Sequence, residues 1–219
     1  APYLSLDLIN NSNSNVIAPF GFGKVNQCGR LDTAYFINLY REYLNEKGIF
    51  INERFDYSSI EITSNGINYK GVSAKTIVFC EGFGVLQNPF FNYLPLNGTK
   101  GELITIHAPD LKLNQIIKSA VFVIPLGHDL YSVGSTYAWD DKTGLPTAGA
   151  REELESKLKR FITCDYKVVK HVAGIRPTVK DRRPLVGQHP KHEHLYILNG
   201  LGTRGVLIGP YVALHLFNA

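Results

Sequence analysis

Three glycines late in the chain, Gly200, Gly202 and Gly205, follow a GxGxxG spacing between an apolar run at 195–198 and a longer apolar stretch at 206–217. A strand that ends in such a turn and restarts as a helix presents bare backbone and free N–H groups at the positive end of a helix dipole. That chemistry suits a flat, electron-rich ligand. A flavin ring is one, because negative charge grows at its N1 and C2 carbonyl edge on two-electron reduction and aligned N–H groups stabilise that form. The turn does not found a complete nucleotide unit, which needs a second parallel strand and an acidic residue about 20 positions on. No acidic residue follows Glu193. Tight strand-to-helix packing is the other use of such glycines.

Gly174, Ile175, Arg176 and Pro177 form the second feature, with Asp181, Pro184, Leu185, Val186 and Gly187 close behind. Pro177 fixes its own backbone and disfavours helix at Arg176, so the guanidinium is displayed from a stiff, extended segment. A rigid fork pairs bidentately with a carboxylate and would orient an amino-acid-like substrate. The competing role for such an arginine is a structural surface salt bridge. His189, His192 and His194 are closely spaced, but they fall in a Pro-containing charged turn that reads as solvated; no metal site is expected. No serine stands in a nucleophile elbow and no Cys/His pair is set by spacing, so hydrolase chemistry has no support.

The elements that position these features follow from patterning. Asp32 is a plausible N-cap for a helix with Tyr35, Phe36, Leu39, Tyr40, Tyr43 and Leu44 on one broad face, ending at Gly48. Residues 49–51 read as a short strand, and 60–63 pairs with 67–69 across Asn65 and Gly66, a hairpin dipeptide. The continuously apolar run 76–80 reads as a parallel strand covered on both faces. From residue 86 shorter strands take over, at 103–107, 121–124 and 130–133, the last two joined by Pro125, Gly127 and Asp129; this block reads as antiparallel. A charged helix over 150–162 buries Leu154, Leu158, Phe161 and Ile162, and strands follow at 167–172 and 195–198.

Composition narrows the classes. The 219 residues have 44% hydrophobic and 19% charged content and a formal charge of +4, spread over isolated lysines and arginines. No basic stripe marks a nucleic-acid surface. Cys28, Cys80 and Cys164 are odd in number and lie outside any CxxC pair, which argues against a disulfide framework or structural zinc and favours a reducing cytoplasm. No run approaches the roughly 20 apolar residues of a membrane span, and 10–15 lacks a signal-peptide layout. The chain opens at Ala1, which we read as a sign of a processed or truncated product, and it contains no methionine, for which the sequence offers no physical reason.

Five segments in order, VFCEGFG, KGELI, VFVIPLG…LYSVGSTY, HVAGIRPTVKDRRPLVG and LYILNGLGTRGV, resemble the D-amino-acid oxidase and glycine oxidase family of FAD-dependent oxidoreductases. The resemblance runs from about Val25 onward. It implies an α/β (α+β) fold in which a truncated FAD-binding Rossmann-like domain is interleaved with an antiparallel-sheet substrate domain. The expected organisation is 1–24 as a substrate-domain remnant, 25–85 as an FAD-domain segment, 86–172 as the antiparallel substrate-binding domain and 173–219 as the C-terminal FAD-domain segment. The family's main FAD fingerprint would lie upstream of this sequence.

The resemblance also assigns residues. Arg176 matches the arginine that holds the substrate carboxylate. Leu201, Gly202, Thr203, Arg204, Gly205 and Val206 match the loop over the flavin's pyrimidine end, and Gly82 the glycine that approaches the adenosine part. Phe122 and Tyr137 fall where the family lines its substrate cavity, although an aromatic in a strand also serves simple packing. Thr203 and Arg204 depart from the arginine-then-asparagine order of glycine oxidase, which puts glycine as the substrate in doubt. No cysteine lies in 176–187, where related sarcosine oxidases tether their flavin, so FAD is expected to be noncovalent. The implied activity is oxidation of the C–N bond of a small amine or amino acid. GLGTRG is also similar to the flavin domain of the enzyme that finishes methylaminomethyl-thiouridine in tRNA, so tRNA wobble-uridine modification is an alternative. A catalytically silent substrate or interaction domain lacking FAD is a third reading.

Overall fold

Valine, isoleucine and tyrosine recur at every second position in the middle of the chain, and the pleat turns that alternation into a sheet with one apolar face. The computed structural model describes residues 2–217. It divides into two units: Ala1–Gln27 with Gly98–Arg176, and Cys28–Asn97 with Pro177–Ala219. The breaks fall at 27, 97 and 176; the resemblance implied 24, 85 and 172. Two of them fall inside continuous strands, Leu96–His107 and Lys167–Val179, at Asn97–Gly98 and at Arg176–Pro177.

The first unit is built on a five-stranded sheet, in the order Lys167–Val179, Leu96–His107, Leu130–Gly134, Phe122–Gly127 and Ile117–Lys118. Val133 stands opposite both Ile104 and Val123 in antiparallel ladders, so the three side chains share a face. Helix Ala148–Leu158 covers that face with Leu154 and Leu158, and Phe161, Ile162 and Val16 complete the core. Full burial of each leucine contributes about 1.5–3 kcal/mol. Thr147 caps the helix by accepting the Ala150 N–H. A two-stranded ribbon, Leu4–Ile9 with Phe22–Val25, also belongs to this unit.

Several expectations change here. The helix stops at Leu158, so Phe161 and Ile162 reach the core from the turn beyond it rather than from a helical face. Pro125 and Gly127 lie within a strand, and the hairpin turn is His128–Asp129, with φ of 52° and 57°. Two consecutive left-handed residues match the twist of the flanking strands. The strand expected over 167–172 runs on to Val179, and its proline is tolerated because it is an edge strand of its sheet.

In the second unit, Ile60–Thr63, Gly66–Tyr69 and Val72–Ala74 form an antiparallel meander, with Ile60 opposite Tyr69 and Thr63 opposite Gly66. A second sheet runs Leu185–Gln188, Leu195–Asn199, Ile77–Phe79, its last pair parallel. Ile67, Phe79, Val85, Phe91, Leu96, Leu195 and Ile197 form this unit's core. Helix Thr33–Glu46 starts where expected, Asp32 accepting the Tyr35 N–H at 3.1 Å, but it buries no residue: Tyr35, Phe36, Leu39, Tyr40 and Tyr43 are exposed. Residues 49–51 form no strand, since the chain continues as loop from the left-handed Gly48. Only Phe79 of the apolar run 76–80 is buried, so that strand is half covered rather than covered on both faces. No described helix is long and apolar enough to cross a membrane.

Candidate functional site

Along Leu96–His107 the pleat sends Lys100, Glu102, Ile104 and Ile106 to the helix-covered face and Gly101 and Leu103 to the other. Gly134 stands opposite both Leu103 and Phe122, and a Cβ there would meet Leu103 Cδ2 at 2.0 Å and Phe122 Cζ at 3.0 Å. The two side chains close over the bare glycine. Arg176 lies over Gly101 on the same face. Its Nη2 donates to Ser135 Oγ at 2.8 Å, its Nη1 to the Thr136 carbonyl at 3.4 Å, and its central carbon stands 4.6 Å from the Tyr137 ring centroid. Arg176, Phe122 and Tyr137 are therefore brought to one side of one sheet. Among the described residues no carboxylate pairs with Arg176.

A buried ionic cluster occupies the opposite face. Lys100 Nζ lies 2.5 Å from Asp141 Oδ2 and 3.3 Å from Glu102 Oε1, and also donates to Thr143 Oγ1 and the Leu145 carbonyl. Glu102 accepts the Thr147 N–H at 2.8 Å and its hydroxyl at 3.0 Å. His171 Nε2 is 2.8 Å from Glu102 Oε2, but without hydrogen-bond geometry. The Lys100 ammonium, with the Thr143 hydroxyl and N–H, holds Asp141 well below the usual carboxylate range. Asp141, helped by Glu102, raises Lys100 against the opposing effect of burial. Burial pushes Glu102 up, but Thr147 and Lys100 outweigh it and the net shift is downward. Each buried charge is answered, the condition for keeping charge in a core.

Sequence reasoning missed this cluster, although KGELI was singled out. The signal was parity. Lys100 and Glu102 occupy the same alternation as the buried Ile104 and Ile106, so they had to be buried together and paired.

In the second unit the parallel strands Ile77–Phe79 and Leu195–Asn199 end side by side. Asn199 joins their ends: its Nδ2 donates to the Gly82 carbonyl at 2.9 Å and its Oδ1 accepts the Gly200 N–H at 2.8 Å. Gly82, Gly200 and Gly202 have φ of 58°, 70° and 57°, backbone that glycine adopts without strain. A Cβ on Gly200 would also come within 2.8 Å of Val179 Cγ2, whereas Gly205 has ordinary helical φ and a Cβ there would only touch Leu201. Close packing therefore asks for glycine at Gly200, left-handed backbone asks for it at Gly200 and Gly202, and neither asks for it at Gly205.

Beside Gly82, the Glu81 carboxylate accepts the Tyr57 hydroxyl and, at 2.8 Å, Asn88 Nδ2. Burial, then Glu81, pushes Tyr57 up to about 12. Leu201 and the short turn Gly202–Arg204, containing Thr203, lead into helix Gly205–Phe217, whose second residue is Val206. Leu201 provides no side-chain cap. Bare glycine backbone at the carboxyl ends of parallel strands, running into a turn with no side-chain cap, fits an electron-rich cofactor edge. Asn199 and Glu81 lie within the segments LYILNGLGTRGV and VFCEGFG, but nothing in the sequence assigned either of them a role.

The histidines differ from expectation. The His189 and His192 rings lie 4.7 Å apart, tilted by 34°, and pack edge-on against Phe91 and Phe90 respectively, half-buried rather than solvated. Burial and neighbouring His192 push the His189 imidazole down.

The family described as FAD dependent oxidoreductase, DAO, matches residues 19–219. Glycine oxidase from Bacillus subtilis (strain 168) is 28% identical over 134 residues, covering 58% of this chain and 36% of the relative. The tRNA 5-methylaminomethyl-2-thiouridine biosynthesis bifunctional protein of Shewanella halifaxensis is 24% identical over 179 residues, covering 64% of this chain and 28% of that protein. Among solved structures, L-proline dehydrogenase from P. horikoshii superposes with a TM-score of 0.78 at 14% identity, over 94% of this chain and 62% of its own. The chain thus spans well under half the length of these curated relatives.

Proposed function

Because the chain belongs to the DAO family of FAD dependent oxidoreductases, we propose that the full-length protein oxidises the C–N bond of an amino acid or secondary amine. One observation carries this reading: a half-buried guanidinium, oriented by Ser135, Thr136 and Tyr137, that has no carboxylate partner among the described residues. A structural salt bridge would have supplied that partner. A substrate carboxylate supplies it instead, accepting bidentate N–H donation that fixes where its Cα–H points. Tyr137 backs the guanidinium, and Phe122 with Leu103 gives the same sheet face an apolar surface for the substrate's body.

FAD, when bound, supplies the acceptor for the hydride leaving the carbon next to nitrogen. The resulting imine hydrolyses in water, and dioxygen or another acceptor takes the electrons on. In this reading the first unit binds substrate. The second holds noncovalent FAD through Gly82 and the segment from Leu201 to Val206.

The test is a calorimetric titration of the full-length, FAD-loaded protein with acetate. Arg176→Ala should weaken acetate by about tenfold to a hundredfold, the worth of a charge-assisted pair. Unchanged affinity would overturn the assignment. The match to the Shewanella protein favours a second reading, the same flavin chemistry acting on a modified tRNA uridine. RNA affinity falling steeply with salt would mark that case.

A further inference from the structure

We propose that Gly101 is a positioning residue for the carboxylate site: its missing side chain is the seat of the Arg176 guanidinium. The proposal rests on the reading of Arg176 given above. A Cβ built on Gly101 would lie 2.0 Å from Nη2, 2.2 Å from Cζ and 2.2 Å from Nη1. All three terminal atoms crowd that one point, so the guanidinium lies directly against the bare Cα. The φ of Gly101 is not left-handed, so its backbone makes no demand for glycine. What a side chain there meets first is the guanidinium.

The seat and the groups that hold Arg176 form one piece. Lys100 exchanges backbone hydrogen bonds with Ala138 at 2.9 Å in both directions, and the Glu102 N–H donates to Thr136 Oγ1 at 2.9 Å. The segment carrying Ser135, Thr136 and Tyr137 is thus tied to the residues on either side of Gly101. Those same two residues are anchored on the opposite face by Asp141 and Thr147. The strand cannot drop away from an added methyl group, so the guanidinium must move. Carbon contacts settle near 3.5–4.0 Å, so it would move outward by more than about 1 Å. The part that yields is the free end of a flexible side chain, which leaves the fold intact.

Acetate titration of the full-length, FAD-loaded protein, with Gly101→Ala and Arg176→Ala singly and together, tests this. Gly101→Ala should weaken acetate at least about tenfold and raise KM for an amino-acid substrate more than it lowers kcat. It should leave a carboxylate-free amine unaffected and add nothing in the Arg176→Ala background. If Gly101→Ala binds acetate as wild type while Arg176→Ala does not, the seat is wrong and the arginine reading stands. An equal Gly101→Ala loss in both backgrounds also overturns the seat, since the effect would not pass through Arg176. If Arg176→Ala itself binds normally, both ideas fall. Should Gly101→Ala fail to fold, the double variant decides: folding restored by removing the guanidinium supports the seat, and failure to fold refutes it.

Discussion

Tyr137 offers its ring to the Arg176 guanidinium, whose central carbon stands 4.6 Å from the ring centroid. Three consecutive residues hold the fork by different means: a hydroxyl at Ser135, a carbonyl at Thr136 and an aromatic face at Tyr137. Tyr137 is 58% exposed, so the contact is worth toward the lower end of the about 0.5–2 kcal/mol range for cation–π pairs. Tyr137→Ala should weaken carboxylate ligands two- to fivefold on that estimate, roughly, and Tyr137→Phe should keep wild-type affinity. A Phe variant as weak as Ala in ligand titrations would mean that the hydroxyl, not the ring face, is what matters.

Thr147 has two structural duties, capping helix Ala148–Leu158 and donating its hydroxyl to the Glu102 carboxylate. Thr147→Ala should therefore cost about 1–2 kcal/mol, more than a surface cap alone, and Thr147→Ser should recover most of it. Leu158→Ala, at a fully buried position, should cost about 3 kcal/mol. Urea midpoints of the three variants check both size and order. A Thr147→Ala loss within error of zero would show that the carboxylate finds its hydrogen bonds elsewhere.

Sequence patterning revealed most of the sheet and little of what lies behind it. The strand at 103–107 was legible because Thr105 and His107 alternate with Ile104 and Ile106, sending polar and apolar side chains to opposite faces. The helix end at Leu158 was not, because Phe161 and Ile162 keep a helical spacing while packing from a turn. Arg176 was legible through Pro177, and the glycine turn through its spacing. Gly101 was not, because nothing local requires glycine there; the demand comes from an arginine 75 positions later in the sequence. Helix Thr33–Glu46 shows the reverse case, a periodic apolar face that the second unit leaves exposed.

The ionic cluster gives stability a pH signature. Asp141 and Glu102 are held below their usual values, so their contribution is complete above the unfolded carboxylate range near about pH 4 and is lost as pH falls through the lower folded values. Lys100 is raised, so its contribution is complete below about pH 10.4 and is lost as pH rises through the higher folded value. Melting temperature should be flat with respect to these groups between the two limits and fall outside them. Asp141→Asn should lower the plateau and flatten the acid limb, because Asp141 has the deeper shift. Parallel acid limbs for wild type and variant, measured by thermal melts across pH, would remove Asp141 from the account.

Gly200 and Gly202 separate packing from cofactor contact. Both need left-handed backbone, a strain of about 1–2 kcal/mol for a residue with a Cβ. Alanine at 200 also meets Val179 Cγ2 at 2.8 Å, whereas at 202 the nearest atom is Thr178 Cγ2 at an easy 3.7 Å. Gly200→Ala should thus be the more destabilised variant in thermal melts. Gly202→Ala adds its methyl group to open backbone, so in the full-length protein it should retain less flavin than its modest stability loss explains. Flavin absorbance after gel filtration, set against melting temperature, reads the two effects separately. If flavin loss tracks stability equally in both variants, Gly202 serves the turn and not the cofactor.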